Sequence, residues 1–395
     1  MNIGITCYPT YGGSGVVATE LGKELAARGH KVHFISYALP FRLDGFHENI
    51  VYHEVELPDY PLFEGSLYPL SLTSKMIDVV LYDELDVLHV HYAIPHASSA
   101  YNAKQILNEQ GRDIKIITTL HGTDITLIGL DPTLLPLVRW SIEKSDGVTA
   151  VSRFLREKTL SNFNIDREIE VIPNFVDTQL WSRTEDNRKR CQFSPNGEPV
   201  LVHISNFRPV KRVADVIRTF KLVREKMPAK LLMVGDGPDR AEAERLCRDL
   251  EIVADVRFLG KQTALPEILS ASDLFLMPSQ SESFGLSALE AMSCGVPAIT
   301  SSTGGLSELV VHGVTGFIAE VGDVDRMARY AIDLLTHRKK FEQFSRAARE
   351  RAANNFSAND IVPMYEAYYQ RVIDGTAGTV YAGGNGNGRR NNDDD

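Results

Sequence analysis

Ser279-Gln280-Ser281-Glu282-Ser283-Phe284-Gly285-Leu286-Ser287-Ala288-Leu289-Glu290-Ala291-Met292-Ser293-Cys294-Gly295-Val296-Pro297 is the stretch whose reading decides the fold. The apolar run before it, residues 274–278, predicts a buried parallel strand, and residues 286–292 have helical composition. The order is strand, polar loop, helix. A helix opening near Phe284 aims unpaired backbone N–H groups and the positive end of its dipole at whatever sits above the strand's carboxyl end, which favours a phosphate. Ser283, Phe284, Gly285 and Leu286 therefore form a candidate diphosphate cradle. Glu282 precedes the helix and Glu290 lies roughly 8 Å along its axis at ~1.5 Å per residue, so carboxylates flank the cradle on both sides. A bare pair of glutamates is equally a loop charge and an exposed helix charge; the neighbours have to separate the two readings.

Those neighbours are Ser283-Phe284-Gly285 before the helix, Cys294-Gly295-Val296-Pro297 after it, and then Ser302-Thr303-Gly304-Gly305-Leu306-Ser307-Glu308. Together with the E-x7-E spacing they resemble the signature of retaining GT-B glycosyltransferases of the family-4 type. The resemblance implies that Glu290 holds the ribose diol of a sugar nucleotide and that Glu282 meets a sugar hydroxyl.

Outward from this stretch the chain alternates strand and helix. Strands are predicted over 199–205, 230–234, 256–260, 297–300 and 316–319 in the second half, and over 2–6, 31–36, 87–90, 115–119, 147–151 and 170–177 in the first. Such βα repeats imply doubly wound parallel sheets that bind ligands at the strands' carboxyl ends. Gly13-Ser14-Gly15-Val16-Val17-Ala18 has the G-x-G-x-x-A spacing of a dinucleotide fingerprint, so a nicotinamide enzyme is considered. Such enzymes place an acid at the end of the second strand, where this chain reads Ser36-Tyr37-Ala38. The glycines are read instead as a floor that lets an anionic or polyol substrate approach backbone amides, with Gly15 on the donor side and Gly13 and Ser14 on the acceptor side. His91-Tyr92, Leu120 to Asp124 and Ser152-Arg153 also follow strands, and three polar clusters on one rim are better explained as a site than as separate structural residues.

The charged, turn-rich stretch from Trp181 marks a boundary. The expected organisation is two Rossmann-like α/β domains, 1–180 for the acceptor and 199–357 for the sugar nucleotide, joined by a linker over 181–198 and facing across a cleft in the GT-B manner. A helix over 358–374, apolar at helical spacing, is expected to pack across the junction. Residues 375–395 have no hydrophobic pattern and are expected to be disordered.

At 395 residues, with roughly one domain per 150, two or three full cores are expected. A net charge of −10 and the lack of a Lys/Arg cluster argue against a nucleic-acid partner. Cys7, Cys191, Cys247 and Cys294 are scattered with no C-x-x-C pair, which suits a reducing cytoplasm and suggests neither zinc nor a disulfide framework. No apolar run approaches the ~18 residues of a membrane span, and no basic leader precedes the first strand.

Transfer from a sugar nucleotide expels a nucleoside diphosphate, so fixed cations have to meet the charge that grows on the departing phosphate. Arg208 and Lys211, in the loop after the strand over 199–205 with Asn206, are suitably placed, and the resemblance implies that they bind the donor diphosphate. It also places Gly260 and Lys261 near the nucleobase. No metal site is evident: Asp323-Val324-Asp325 has no second acidic or histidine cluster nearby in sequence. No residue announces itself as a covalent nucleophile. Retention then implies front-face displacement, with the leaving phosphate oxygen taking the acceptor proton. His121 resembles the family's sugar-contacting histidine and is expected to bind and orient the sugar.

Residues 5–15, 40–43, 91–97, 118–126 and 203–212 narrow the resemblance to the malate N-acetylglucosaminyltransferases of bacillithiol biosynthesis, over nearly all of residues 1–373. This implies UDP-GlcNAc as donor and L-malate as acceptor; no metal cofactor is expected, since Arg208, Lys211 and helix-end amides can neutralise the diphosphate. Two carboxylates need cations or convergent donors, and Arg153, Ser14, the Gly13 to Gly15 amides, Tyr92 and Thr119 are the candidate acceptor set. An inositol phosphate or glycan acceptor, a sugar-nucleotide epimerase and a non-catalytic binding module remain rival readings, and a homodimer is left open.

Overall fold

The computed structural model describes residues 1–58, 66–184 and 188–377. The first sheet is parallel throughout and contains β1 (Asn2–Thr6), β2 (Lys31–Ser36), β3 (Ile50–Glu54), β4 (Val87–His91), β5 (Lys115–Leu120), β6 (Gly147–Ala150) and β7 (Glu170–Val171). Their order across the sheet is β3-β2-β1-β4-β5-β6-β7. The second sheet contains β8 (Val200–Ile204), β9 (Lys230–Val234), β10 (Val256–Gly260), β11 (Leu274–Met277), β12 (Ala298–Ser301) and β13 (Gly316–Ala319), in the order β10-β9-β8-β11-β12-β13. Strands such as β4, β8 and β11 are buried along their whole length, which is why they read as near-continuous apolar runs rather than alternating ones.

In both sheets the strand order reverses beside the first strand, between β1 and β4 and between β8 and β11. The loops that leave two such strands diverge and open a crevice at their carboxyl ends. Each sheet opens such a crevice beside its first strand, and the segments after β1 and β5 meet those after β10 and β11 across the cleft.

Element boundaries differ from expectation where backbone geometry intervenes. The glycine-rich segment after β1 is already helical: the helix runs Gly13–Ala27, so Gly13, Ser14 and Gly15 form its first turn. The helix after β11 starts at Leu286, two residues later than expected, because Gly285 caps it with φ 98° in the left-handed region. The edge strand β3 is not among the expected strands; its residues are only partly buried and carry little periodicity. The expected strand over 170–177 pairs for only two residues before the chain turns toward the second lobe.

The described part of 181–198 is folded against the second lobe. Trp181 is buried, Arg183 Nη2 donates to the Ser272 carbonyl at 2.7 Å, and Arg190 Nη1 lies 2.6 Å from Asp273 Oδ2. The last helix, Ala358–Ile373, opens on Ser357, whose Oγ accepts from the Asp360 N–H, and returns to the first lobe. There Tyr365, Tyr369 and Val372 are buried with Ile3, Ile5 and Leu21, each fully buried apolar side chain contributing about 1.5–3 kcal/mol. The chain thus crosses between lobes twice, and Val176 bridges to Ser357 where the crossings meet. Residues 375–377 close the helix, with the Thr376 N–H bonded to the Arg371 carbonyl at 2.8 Å; the remainder of the tail expected to be disordered, 378–395, lies outside the described residues.

Candidate active site

On the second lobe, β8 leads into Asn206, buried Phe207 and exposed Arg208. The loop can sit this low because Gly237 passes beneath it: a Cβ there would come within 2.0 Å of the Asn206 carbonyl oxygen. The Gln280 N–H donates to the Val210 carbonyl at 2.8 Å and fastens this loop to the one after β11. Lys211 Nζ then lies 2.6 Å from Glu282 Oε2, half-buried. Arg208 has no ion-pair partner among the described residues, and its charge acts on the Tyr92 hydroxyl of the first lobe. Arg208, Lys211 and Glu282 are therefore together, as their spacing suggested, with one cation uncommitted.

The cradle departs from expectation at one residue. Phe284 is buried against Phe356, ring centroids 5.6 Å apart, so its side chain is core and only its backbone faces the loop. Glu282 is positioned from below by the Gly305 N–H, which donates to its carbonyl at 2.9 Å, and Gly304, at φ 57°, leaves that carbonyl the room a Cβ would fill.

On the first lobe, Tyr92 Oη donates to Ser14 Oγ at 2.8 Å, joining two of the acceptor candidates beside exposed Gly13. Tyr92 has φ 98° and ψ 139°, a conformation that costs an L-residue about 1–3 kcal/mol. Its neighbours hold it there: the Tyr92 N–H donates to the Thr119 carbonyl at 3.0 Å, and the Ala93 N–H donates to Asp124 Oδ2 at 3.0 Å. Asp124, buried, also accepts from the Gly122 N–H at 3.1 Å; burial pushes its pKa up to about 6 against the pull of these N–H groups. This organising carboxylate stood in the Leu120 to Asp124 cluster without an assigned role. His121 Nε2 and His91 Nδ1 share a hydrogen bond at 2.8 Å, and burial followed by the charge of His96 lowers the pKa of His121 to about 3. His121 is thus a neutral hydrogen-bonding group at neutral pH.

Thr119 does not face the acceptor side with its side chain. It is fully buried, with Oγ1 2.6 Å from His89 Nε2 and 2.7 Å from Thr149 Oγ1, because β5 turns this residue into the space under the last helix. Arg153 stands at the rim, three-quarters exposed, with Nε 3.7 Å from Glu308 Oε2, and no contact among the described residues joins it to Ser14 or Tyr92. Gly260, at φ 67°, and exposed Lys261 turn toward the first lobe, Lys261 Nζ lying 5.8 Å from the Tyr11 ring centroid.

Contacts between the two lobes close the cleft. The Cα of Gly122 approaches Ser283 so nearly that a Cβ would meet Ser283 Oγ at 1.7 Å. Ser152 Oγ donates to the Ser283 carbonyl at 2.7 Å, and the N–H groups of Arg153 and Phe154 donate to the Glu308 carboxylate at 3.1 and 2.8 Å. Tyr11 Oη accepts from the Gln262 N–H at 2.8 Å. Arg42 Nη1 donates to Glu290 Oε1 at 2.9 Å. Arg42 and Glu308 were given no role from sequence; partners so far apart along the chain leave no spacing signal.

The described residues hold one group of converging metal-type ligands, His33, His53 and Asp83 at the outer edge of the first sheet. His33 Nδ1 and His53 Nε2 share a hydrogen bond at 2.9 Å with ring planes 17° apart, the donor set by the tautomer. Asp323, considered for its D-x-D form, caps a helix by accepting from the Arg326 N–H at 3.0 Å.

Residues 11–180 match the family model described as Glycosyltransferase Family 4, and residues 184–351 match Glycosyl transferases group 1. N-acetyl-alpha-D-glucosaminyl L-malate synthase of Bacillus anthracis is 47% identical over 374 residues, covering 94% of this chain and 97% of that protein. The GDP-mannose-dependent alpha-(1-6)-phosphatidylinositol monomannoside mannosyltransferase of Mycolicibacterium smegmatis is 30% identical over 258 residues, 61% of this chain and 66% of that protein. Among solved structures, Anabaena HepE in complex with UDP and glucose shares the fold with a TM-score of 0.78 at 22% identity, over 94% of this chain and 99% of that one.

Proposed function

This chain belongs to the glycosyltransferase family that includes N-acetyl-alpha-D-glucosaminyl L-malate synthase, and from that membership we propose that it transfers N-acetylglucosamine from UDP-GlcNAc to the hydroxyl of L-malate, as the first step of bacillithiol biosynthesis. The observation that carries the reading is likeness to the malate synthase across nearly the full length of both chains.

The bond between the anomeric carbon and the β-phosphate oxygen breaks, and the malate oxygen bonds to the same face of that carbon. The malate hydroxyl proton passes to the departing phosphate oxygen, so no protein base is required. Arg208 and Lys211 meet the negative charge that grows on the diphosphate, where preorganised charge counts most. Their two charges let the reaction proceed without a metal ion. Glu282, held by Lys211 through Oε2, offers its other oxygen to a sugar hydroxyl. His121, neutral, orients the sugar, and Glu290 takes the ribose. Ser14 and Tyr92 line the acceptor side. The reaction is placed in a reducing cytoplasm, which four unpaired cysteines support, three of them buried; no helix among the described residues is long and apolar enough to cross a membrane.

The test is UDP release from UDP-GlcNAc with and without L-malate, on protein stripped with a chelator. Release that requires malate, with one N-acetylhexosamine added to it, is the expected result. Arg153 pairs with Glu308 rather than with Ser14 or Tyr92, which keeps an inositol phosphate or glycan acceptor as the second reading; release with those and not with malate overturns the first. Conversion of the donor to an isomeric UDP-sugar with no acceptor present would mark an epimerase.

A further inference from the structure

Glu290 is the carboxylate that the donor reading gives to the ribose, and it is almost fully buried in the lining of a small cavity between the lobes. A carboxylate so placed is driven toward its neutral form, because burial disfavours charge. Neutral, it loses acceptor capacity, whereas two ribose hydroxyls call for an ionised acceptor. Something has to hold the charge.

The groups facing it are few. Glu20, on the helix Gly13–Ala27, adds negative charge and worsens the problem; Tyr11 and Cys294 are near and carry none at neutral pH. Glu24 and Asp177 line the same cavity and are acidic as well. Arg42 is the cation. It comes from the loop after β2 of the opposite lobe, with φ 69° at its own backbone and its guanidinium 5.0 Å from the Trp181 ring centroid. Its Nη1 reaches Glu290 Oε1 at 2.9 Å, while Oε2 has no hydrogen-bond partner among the described residues. The adjacent Phe41 packs on Tyr11, ring centroids 4.3 Å apart, and Tyr11 bonds the Gln262 backbone beside Gly260 and Lys261. Tyr11, Phe41 and Arg42 thus form one unit of the first lobe laid against the nucleoside side of the second.

We propose that Arg42 is a positioning residue for the donor nucleotide: it crosses the cleft to hold Glu290 ionised and oriented through one oxygen, leaving the other for the ribose, so that the nucleoside site is complete only when the lobes are closed. The inference rests on the donor reading given above. The shared hydrogen bond is charge-assisted and desolvated, the kind whose loss is felt most.

The test is calorimetric binding of UDP to the full chain, with Arg42→Ala, Arg42→Lys, Glu290→Ala and the double variant. Arg42→Ala is expected to weaken binding by about 10- to 100-fold, the range for a lost hydrogen bond to a charged group. Without the guanidinium, Glu290 takes up a proton more readily, so the variant's affinity is expected to fall further as pH drops from about 8 to about 6, while wild type stays level. Arg42→Lys restores the charge and is expected to restore the level pH profile. In the Glu290→Ala background the Arg42 change is expected to add little, because it acts through Glu290. Binding by Arg42→Ala equal to wild type, or an undiminished Arg42 effect without Glu290, overturns the proposal. If Arg42→Ala does not melt like wild type by circular dichroism, Arg42→Gln replaces it in each comparison. Wild type that ignores UDP but binds GDP or ADP overturns the donor reading alone, and the same comparisons are then made with that nucleotide.

Discussion

At the scale of single residues, the proposed site is a set of charges suited to a leaving diphosphate. Lys211 is held by Glu282 at 2.6 Å and so reaches the transition state already oriented. Lys211→Ala is expected to lower kcat by about 100- to 1,000-fold, the range for loss of one preorganised donor, with a smaller change in donor KM; steady-state kinetics under saturating malate measures it. His121 carries no charge at neutral pH, so His121→Ala is expected to lower kcat/KM by roughly 10-fold without moving the pH profile between about 6 and 8. An unchanged kcat/KM would remove His121 from sugar binding. Arg208, Lys211, Glu282 and Glu290 were singled out in the sequence because the motifs around them resemble a family signature, and the structure brings Arg208, Lys211 and Glu282 to neighbouring strand-end loops. Thr119 was misplaced because a strand's last residues alternate faces, and sequence alone does not say which face looks into the cleft.

At the scale of elements, glycines decide how closely loops approach. Gly122 has φ 113° and lies where a Cβ would overlap Ser283 Oγ. Gly122→Ala is therefore expected to keep the lobes apart and to cut kcat/KM for both substrates, with the thermal midpoint lowered only modestly because the strain sits in a loop at the cleft. Adding Ser283→Gly is expected to recover part of the activity by removing the clashing side chain, the rest being lost to the left-handed backbone. No recovery at all would mean that the contact plays no part in closure. Strand and helix identities were readable from apolar runs and turns, whereas the exact start of the Leu286–Ser293 helix depended on Gly285 capping and on Phe284 turning into the core.

At the scale of the whole molecule, stability should follow a set of buried neutral histidines. Burial lowers the pKa of His33, His96 and His203 to about 4, that of His89 and His121 to about 3, and that of His91 well below its ordinary value. Each is protonated more readily unfolded than folded, so its contribution is fully present above about pH 6.5 and is lost as pH falls toward about 4. Asp124 and Glu290, both raised by burial, act in the opposite sense, since the folded protein keeps their protons to higher pH. The histidines outnumber them. The thermal midpoint is expected to fall between about pH 7 and about pH 5, with protons taken up on unfolding; a level midpoint by scanning calorimetry would contradict this balance. The sequence by itself determined two doubly wound sheets and the strand-end loops that carry the candidate site, because periodicity, turn residues and short motifs act over a few neighbouring positions; the donor was implied by resemblance to a family. Only the tertiary structure decided that Arg42 meets Glu290, that Glu308 receives the helix opening at Arg153, that Gly122 bears on Ser283 and that the last helix returns to the first lobe. Those contacts join residues more than a hundred positions apart, and they exist only once both sheets have formed and closed on one another.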